Sequence, residues 1–152
     1  MPKIIIRIGE FKMSERTIAV RYYTKTGNTK KLAEAIAEAS GVKAQKTDIL
    51  IKGKCDILFL GASVYWGGID KDVNVFIKSL DKNKIGKVVV FSTSALAERA
   101  FPEIEKLLKA QGIKAEQENY YTRGQFTAMH KGKPNSDDVL AAAGFAKKIL
   151  SR

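Results

Sequence analysis

Thr24-Lys25-Thr26-Gly27-Asn28-Thr29 lies between the apolar run Thr17–Tyr23 and an amphipathic stretch that opens at Asn28. The apolar run reads as a strand. Leu32, Ala33, Ile36 and Ala37 recur at helical spacing, and Gly41 stands where the helix would stop, so the six residues form a strand-to-helix turn. The first N–H groups of a helix have no intrahelical partners and sit at the positive end of its macrodipole. A turn that adds three threonine hydroxyls, an asparagine amide and a close-approach glycine is built for an anion, and a phosphate monoester is its natural guest. It is neither a Walker loop nor GxGxxG. A turn meant only to cap the helix needs one Thr or Asn, whereas here several donors crowd together.

The alternation of short apolar runs with helical patterns continues to the C-terminus. Val42–Ile49 reads as a short second strand, and Asp56–Ser63, apolar almost throughout, as a third strand covered on both faces. Val73, Phe76, Ile77 and Leu80 share a helix face, and Lys87–Ser92 is a further buried strand. Pro102 suits the first turn of a helix running to about Gln111 and stopped by Gly112. Ile113–Tyr121 is the fifth strand and Asp137–Leu150 the last helix. This order predicts an α/β fold with a doubly wound, five-stranded parallel sheet. Ligands of such sheets bind at the carboxyl ends of the strands, beside the switch point. The turns after the first and third strands, Thr24–Thr29 and Gly61-Ala62-Ser63-Val64-Tyr65-Trp66-Gly67-Gly68, are therefore expected to meet.

Tyr22-Tyr23-Thr24-Lys25-Thr26-Gly27-Asn28-Thr29 resembles the phosphate loop of the flavodoxin family: aromatic, any residue, Thr or Ser, any, Thr, Gly, Asn, Thr. Tyr65-Trp66-Gly67 stands where that family lays an aromatic against its flavin ring, and the resemblance runs from about Thr17 to the C-terminus. It implies strand order 2-1-3-4-5 and FMN as cofactor. The hydroxyls of Thr24, Thr26 and Thr29, the Asn28 amide and the N–H groups of the loop, Lys25 and Gly27 included, then hold the phosphate. Ser63, Val64 and Gly67 shape the ring-side loop in which Tyr65 or Trp66 stacks. Ser92, Thr93 and Ser94, read as the start of a loop after the fourth strand, pass the pyrimidine edge of the ring. Ser92-Thr93-Ser94-Ala95-Leu96-Ala97 departs from the carrier flavodoxins in lacking an aromatic before Phe101. That leaves the second ring face open to a substrate such as a quinone, or covered by Tyr120–Phe126.

The resemblance implies an electron-transfer protein shuttling electrons between redox partners. Its alternatives are an FMN-dependent oxidoreductase on the same fold, a quinone reductase or protoporphyrinogen-oxidase-like protein, and a flavin-free interaction module. No residue is assigned a catalytic role. His130, the one histidine, reads as an exposed loop residue, and no cluster has metal-ligand spacing. No run approaches the roughly 20 apolar residues of a membrane helix, nothing at the start reads as a secretory signal, and the lone Cys55 fits a reducing cytoplasm.

The chain of 152 residues carries 27 Lys+Arg against 16 Asp+Glu, a net charge of +11, whereas carrier flavodoxins are acidic. The lysines are scattered, as on a solvated surface; gathered in the fold they would offer a docking face to an acidic redox partner, and nucleic acid is not the expected partner. A basic chain without acidic neighbours favours the negatively charged, fully reduced flavin, so its second reduction potential is expected above that of acidic flavodoxins. Arg21, inside a strand expected to be central, needs its guanidinium brought to solvent or to an acid.

Residues 1–12 form an extension before the domain at 13–152. Ile4–Ile8 reads as a strand that must pair with a sheet edge or another copy. Removing the extension leaves +9, so the basic character belongs to the domain. A chain starting at Met13 is expected to keep the FMN affinity of the full chain in a fluorescence titration; loss of flavin binding would refute this.

Overall fold

β-Branched and aromatic runs pair into one sheet, and the stretches with apolar residues at helical spacing cover both its faces. The computed structural model describes residues 16–64, 68–94, 100–124 and 131–152, with the backbone of three short strands in the first twelve residues. In chain order the elements are β1 (Lys3–Ile4), β2 (Arg7–Ile8), β3 (Phe11–Lys12), β4 (Arg16–Tyr22), α1 (Asn28–Ser40), β5 (Ala44–Lys46), β6 (Cys55–Val64), α2 (Lys71–Ser79), β7 (Ile85–Ser94), α3 (Phe101–Ala110), β8 (Tyr120–Arg123) and α4 (Ser136–Leu150).

The parallel strands lie in the order β5-β4-β6-β7-β8, which is 2-1-3-4-5 when they are counted along the chain. β4 thus sits between β5 and β6, and the switch point lies between the two strands that precede the expected ligand loops. β1 runs antiparallel beside the start of β4, with Lys3 opposite Thr17 and Ile4 opposite Arg16. β2 and β3 form a separate two-stranded ribbon. The stretch Ile4–Ile8 is therefore divided between β1 and β2, and the extension does meet a sheet edge.

Alternation along the strands produces two cores. Ile18, Val20, Phe59, Val89 and Phe91 face α1 and α4, where Leu32, Ile36, Ala146 and Ile149 are buried. Ala19, Leu58, Leu60, Val88 and Val90 face α2 and α3, against Phe76, Ile77, Ile104 and Leu108. α1 ends at Gly41, which takes the left-handed conformation (φ 73°) and donates its N–H back to the last turn. α4 starts with a reciprocal capping box between Asn135 and Asp138. Among the described residues no helix is long and apolar enough to cross a membrane.

Three strands differ from the sequence reading by more than one residue at an end. β5 is only Ala44–Lys46, because Gln45 and Lys46 are exposed and the chain turns where Ile49 N–H meets Lys46 O at 3.0 Å. The fifth strand is Tyr120–Arg123, not Ile113–Tyr121. Lys114 and Glu116 bracket Val88 in a single bridge (2.9 and 2.8 Å), and the polar run after Glu116 interrupts the pairing. β7 continues to Ser94, so Ser92, Thr93 and Ser94 are buried strand residues paired with β6 and β8, not the opening of a loop. The rest of that predicted loop, Ala95–Ala97, lies outside the described residues.

Arg21 is 7% exposed, and among the described residues its guanidinium meets backbone carbonyls and not an acid. Its Nε donates to Ile49 O at 2.7 Å and its Nη1 to Val20 O at 3.2 Å, so backbone carbonyls satisfy the guanidinium while burial lowers its pKa. Cys55 is a core residue, 1% exposed, and burial pushes its thiol up to about 11. The native protein should therefore leave a disulfide reagent untouched at pH 8 and release one equivalent of thiol in denaturant. Rapid native labelling would contradict this burial.

Candidate functional site

The sheet brings the carboxyl ends of β4, β6, β7 and β8 to one edge, and the hydroxyl-rich turn lies over them. Residues 23–27 join β4 to α1, and the helix cap is Gly27 in a left-handed conformation (φ 91°), with no capping side chain and no acid in the first turn. The threonines therefore do not serve as the cap. Thr24 Oγ1 instead accepts the Gly27 N–H at 2.9 Å, which folds the turn back on itself and keeps the Thr24 proton available for donation. Thr26 and Lys25 are exposed, whereas Asn28 and Thr29 are buried at the helix start.

Beneath the turn, three hydroxyls close a ring. Thr29 Oγ1 bonds Ser63 Oγ, Thr29 Oγ1 lies 3.1 Å from Thr93 Oγ1, and Ser63 Oγ lies 3.2 Å from Thr93 Oγ1. All three residues are buried, so the ring joins the first turn of α1 to the ends of β6 and β7. Of the residues expected around the cofactor, Thr24–Thr29, Ser63 and Thr93 are thus brought together. Val64 and Ser94 end their strands as buried neighbours in register. Ser92 is fully buried, and its Oγ has no partner among the described residues. Tyr65, Trp66 and Gly67 lie outside the described residues, as do Gln125, Phe126 and His130.

Two glycines make this convergence possible. A Cβ on Gly61 would run into the Phe91 ring and approach Thr29 Cγ2 at 2.9 Å, so Gly61 is a packing residue inside β6 and not part of an exposed loop. A Cβ on Gly124 would lie 2.7 Å from Asn28 Nδ2 and 3.2 Å from Thr93 Cβ. The chain after β8 therefore closes against the same turn. A glycine directly after a strand was the available signal for Gly124.

Two acids unmarked in the sequence reading tie down the neighbouring loop. Val64 and Ile69 form an antiparallel bridge, and Ile69 N–H donates to Glu103 Oε1 at 3.1 Å, from the first turn of α3. Asp70 caps α2 by accepting the Asp72 N–H at 2.9 Å and pairs with Lys25 Nζ at 3.5 Å, linking the two loops. Burial and then the Asp70 and Asp72 carboxylates raise the pKa of Tyr23 beside them. Only the N-cap pattern of Asp70 could have been seen in the sequence. Among the described residues no three His, Cys, Asp or Glu side chains gather to hold a metal ion. A turn rich in N–H and O–H donors, with no acid in the helix turn it opens, is suited to a phosphate group.

Comparison with known proteins gives the same direction. The family described as Flavodoxin domain matches residues 19–132. An uncharacterized protein of Methanocaldococcus jannaschii is 31% identical over 137 residues, spanning 81% of this chain and 90% of that protein. A flavodoxin from the domain Archaea superposes with a TM-score of 0.70 at 17% identity, over 89% of this chain and 96% of that one. Oxidised flavodoxin 2 from Bacillus cereus gives 0.65 at 21% identity, over 89% and 98%. At these identities the likeness to the solved structures is one of fold.

Replacing Gly61 by Ala should cost about 1–3 kcal/mol through overpacking. Urea unfolding measures this, and an unchanged midpoint would mean that Phe91 and Thr29 yield freely.

Proposed function

Because the chain belongs to the flavodoxin domain family, we propose that it binds FMN at the carboxyl ends of β4, β6 and β7 and carries electrons between redox partners. The observation that supports this most is the start of α1: a left-handed glycine cap, no acid in the first turn, and Thr24, Thr26, Asn28 and Thr29 within six residues. In this reading the N–H groups of the turn and the hydroxyls of Thr24 and Thr26 hold the phosphate. Thr29 and Ser63, joined through Thr93, set the height of the turn above the sheet. Asp70 and Glu103 orient the loop from which Tyr65 or Trp66 meets the ring. Bound flavin supplies the reversible electron chemistry, and the chain holds, orients and shields it. The working site is the cytoplasm, and the redox partner carries an acidic face that complements the net charge of +11.

One observation favours a second reading, an FMN-dependent oxidoreductase acting on a flat small molecule such as a quinone. The sequence from Ser92 to Ala100 contains no aromatic residue that could cover the second ring face. Turnover of a diffusible quinone without any partner protein separates this enzyme from a carrier.

Titration of the flavin-free protein should quench FMN fluorescence tightly and riboflavin fluorescence weakly, because riboflavin lacks the phosphate. Thr26→Ala should weaken FMN about five- to tenfold, the equivalent of one hydrogen bond of roughly 1–1.5 kcal/mol, without changing the weak riboflavin binding. No quenching at micromolar FMN overturns the proposal.

A further inference from the structure

The crossing from β5 to β6 leaves part of the sheet thinly covered. Parallel strands are ordinarily joined by a crossover of about a dozen residues or more, usually helical. Here residues 47–54 make the passage across β4 without a helix. On the side of the sheet that α2 and α3 cover, Ile51 packs onto the core, but Ile49 and Leu50 remain 45% and 50% exposed. Between this segment, the floor at Arg21 and Cys55, and Lys43 before β5, a cavity of about 1110 Å³ opens to solvent. That volume, at the upper end of the roughly 300–1,000 Å³ of small-ligand sites, also admits several side chains of a polypeptide.

Cations outnumber carboxylates around the cavity. Lys43, Lys52 and Lys54 are exposed on its rim. Lys84 reaches across to donate to Lys52 O at 3.4 Å, adding a fourth cation. The single carboxylate in the lining, Asp56, is already engaged by the Thr17 N–H at 2.8 Å and by Lys54 Nζ at 3.6 Å. Bare aliphatic side chains ringed by cations match apolar residues interleaved with carboxylates. A second copy of this chain would bring its own +11 to the same place. A nucleic acid strand would find no aromatic residue in the lining on which to stack.

The cavity runs along β4 from Thr17, beside Cys55 at the start of β6, to Arg21, where the crossing passes at Ile49. We propose that this cavity docks an extended acidic segment of a partner protein, its apolar residues on Ile49 and Leu50 and its carboxylates on Lys43, Lys52 and Lys54. The proposal goes beyond flavin binding and does not depend on it.

The test is to pan a random dodecapeptide display library on the full chain at physiological salt. Enriched peptides are then measured by fluorescence anisotropy against the parent and three surface variants, Leu50→Ser, Lys52→Glu and Lys109→Glu. The expected peptides alternate carboxylates with Leu, Ile or Phe. Their binding falls at least about fivefold in Leu50→Ser and in Lys52→Glu and is little changed in Lys109→Glu, which alters the charge equally on α3. Failure to enrich any peptide, or enrichment of peptides without carboxylates, overturns the proposal. So does an equal loss in Lys109→Glu, which would show only general attraction to a basic surface. A twelve-nucleotide oligo-dT bound through the same Leu50 and Lys52 would make the cavity a nucleic-acid site instead. FMN quenching, measured on the same variants, reports separately on the flavin site.

Discussion

Three buried hydroxyls at the carboxyl ends of β6 and β7 have to satisfy one another, and that requirement organises the upper edge of the sheet. A hydroxyl donates one proton and accepts through its lone pairs, so a ring of three lets each member donate once and accept once. Thr29, Ser63 and Thr93 form such a ring, and no solvent is needed to complete it. The geometry is possible only because Gly61 lets Phe91 and Thr29 crowd into the place of a side chain. Once Thr29 is held, the start of α1 is held, and the left-handed Gly27 must lift the preceding turn out over the strand ends. The order of constraint runs from packing inside the sheet to the donors presented above it.

Charge is handled differently in the interior and on the surface. Arg21 is buried in an interior strand without a carboxylate beside it among the described residues, and carbonyls of Ile49 and Val20 absorb its donors. One of those carbonyls belongs to the helix-free crossing, so the buried cation also fixes the path of residues 47–54. The lysines around that crossing stay in water, where mutual repulsion is screened. A strand residue that looked misplaced thus helps to anchor a connection that has no helix of its own.

Much of this was legible in the sequence, for physical reasons. α1 spans Asn28–Ser40 as read, because its apolar spacing is bounded by glycines that both adopt positive φ. The parallel sheet followed from apolar strands alternating with helical patterns, while its order 2-1-3-4-5 was what the family resemblance implied. Ser92–Ser94 misled because hydroxyl residues read as loop, yet β6 and β8 pair with them on either side and extend β7. β5 and β8 misled because their limits depend on polar residues and a bridge to Val88, which periodicity does not record. Gly124, Asp70 and Glu103 act through partners 25 residues or more away in the chain, Asn28, Lys25 and Ile69 among them, and no local pattern announces such pairs.

The two faces of the sheet are completed by different parts of the chain. One needs only α2 and α3, which are finished by Ala110. The other needs α4, whose Ala142, Ala146 and Ile149 lie against the same core as Leu32 and Ile36 of α1. Arg16, at the start of β4, donates to Leu150 O and, at 3.4 Å, to Arg152 O, so the first long strand is fastened to the final residues. During synthesis a growing chain can therefore close one side of its sheet early, while the other remains apolar and uncovered until the last turn of α4 has left the ribosome.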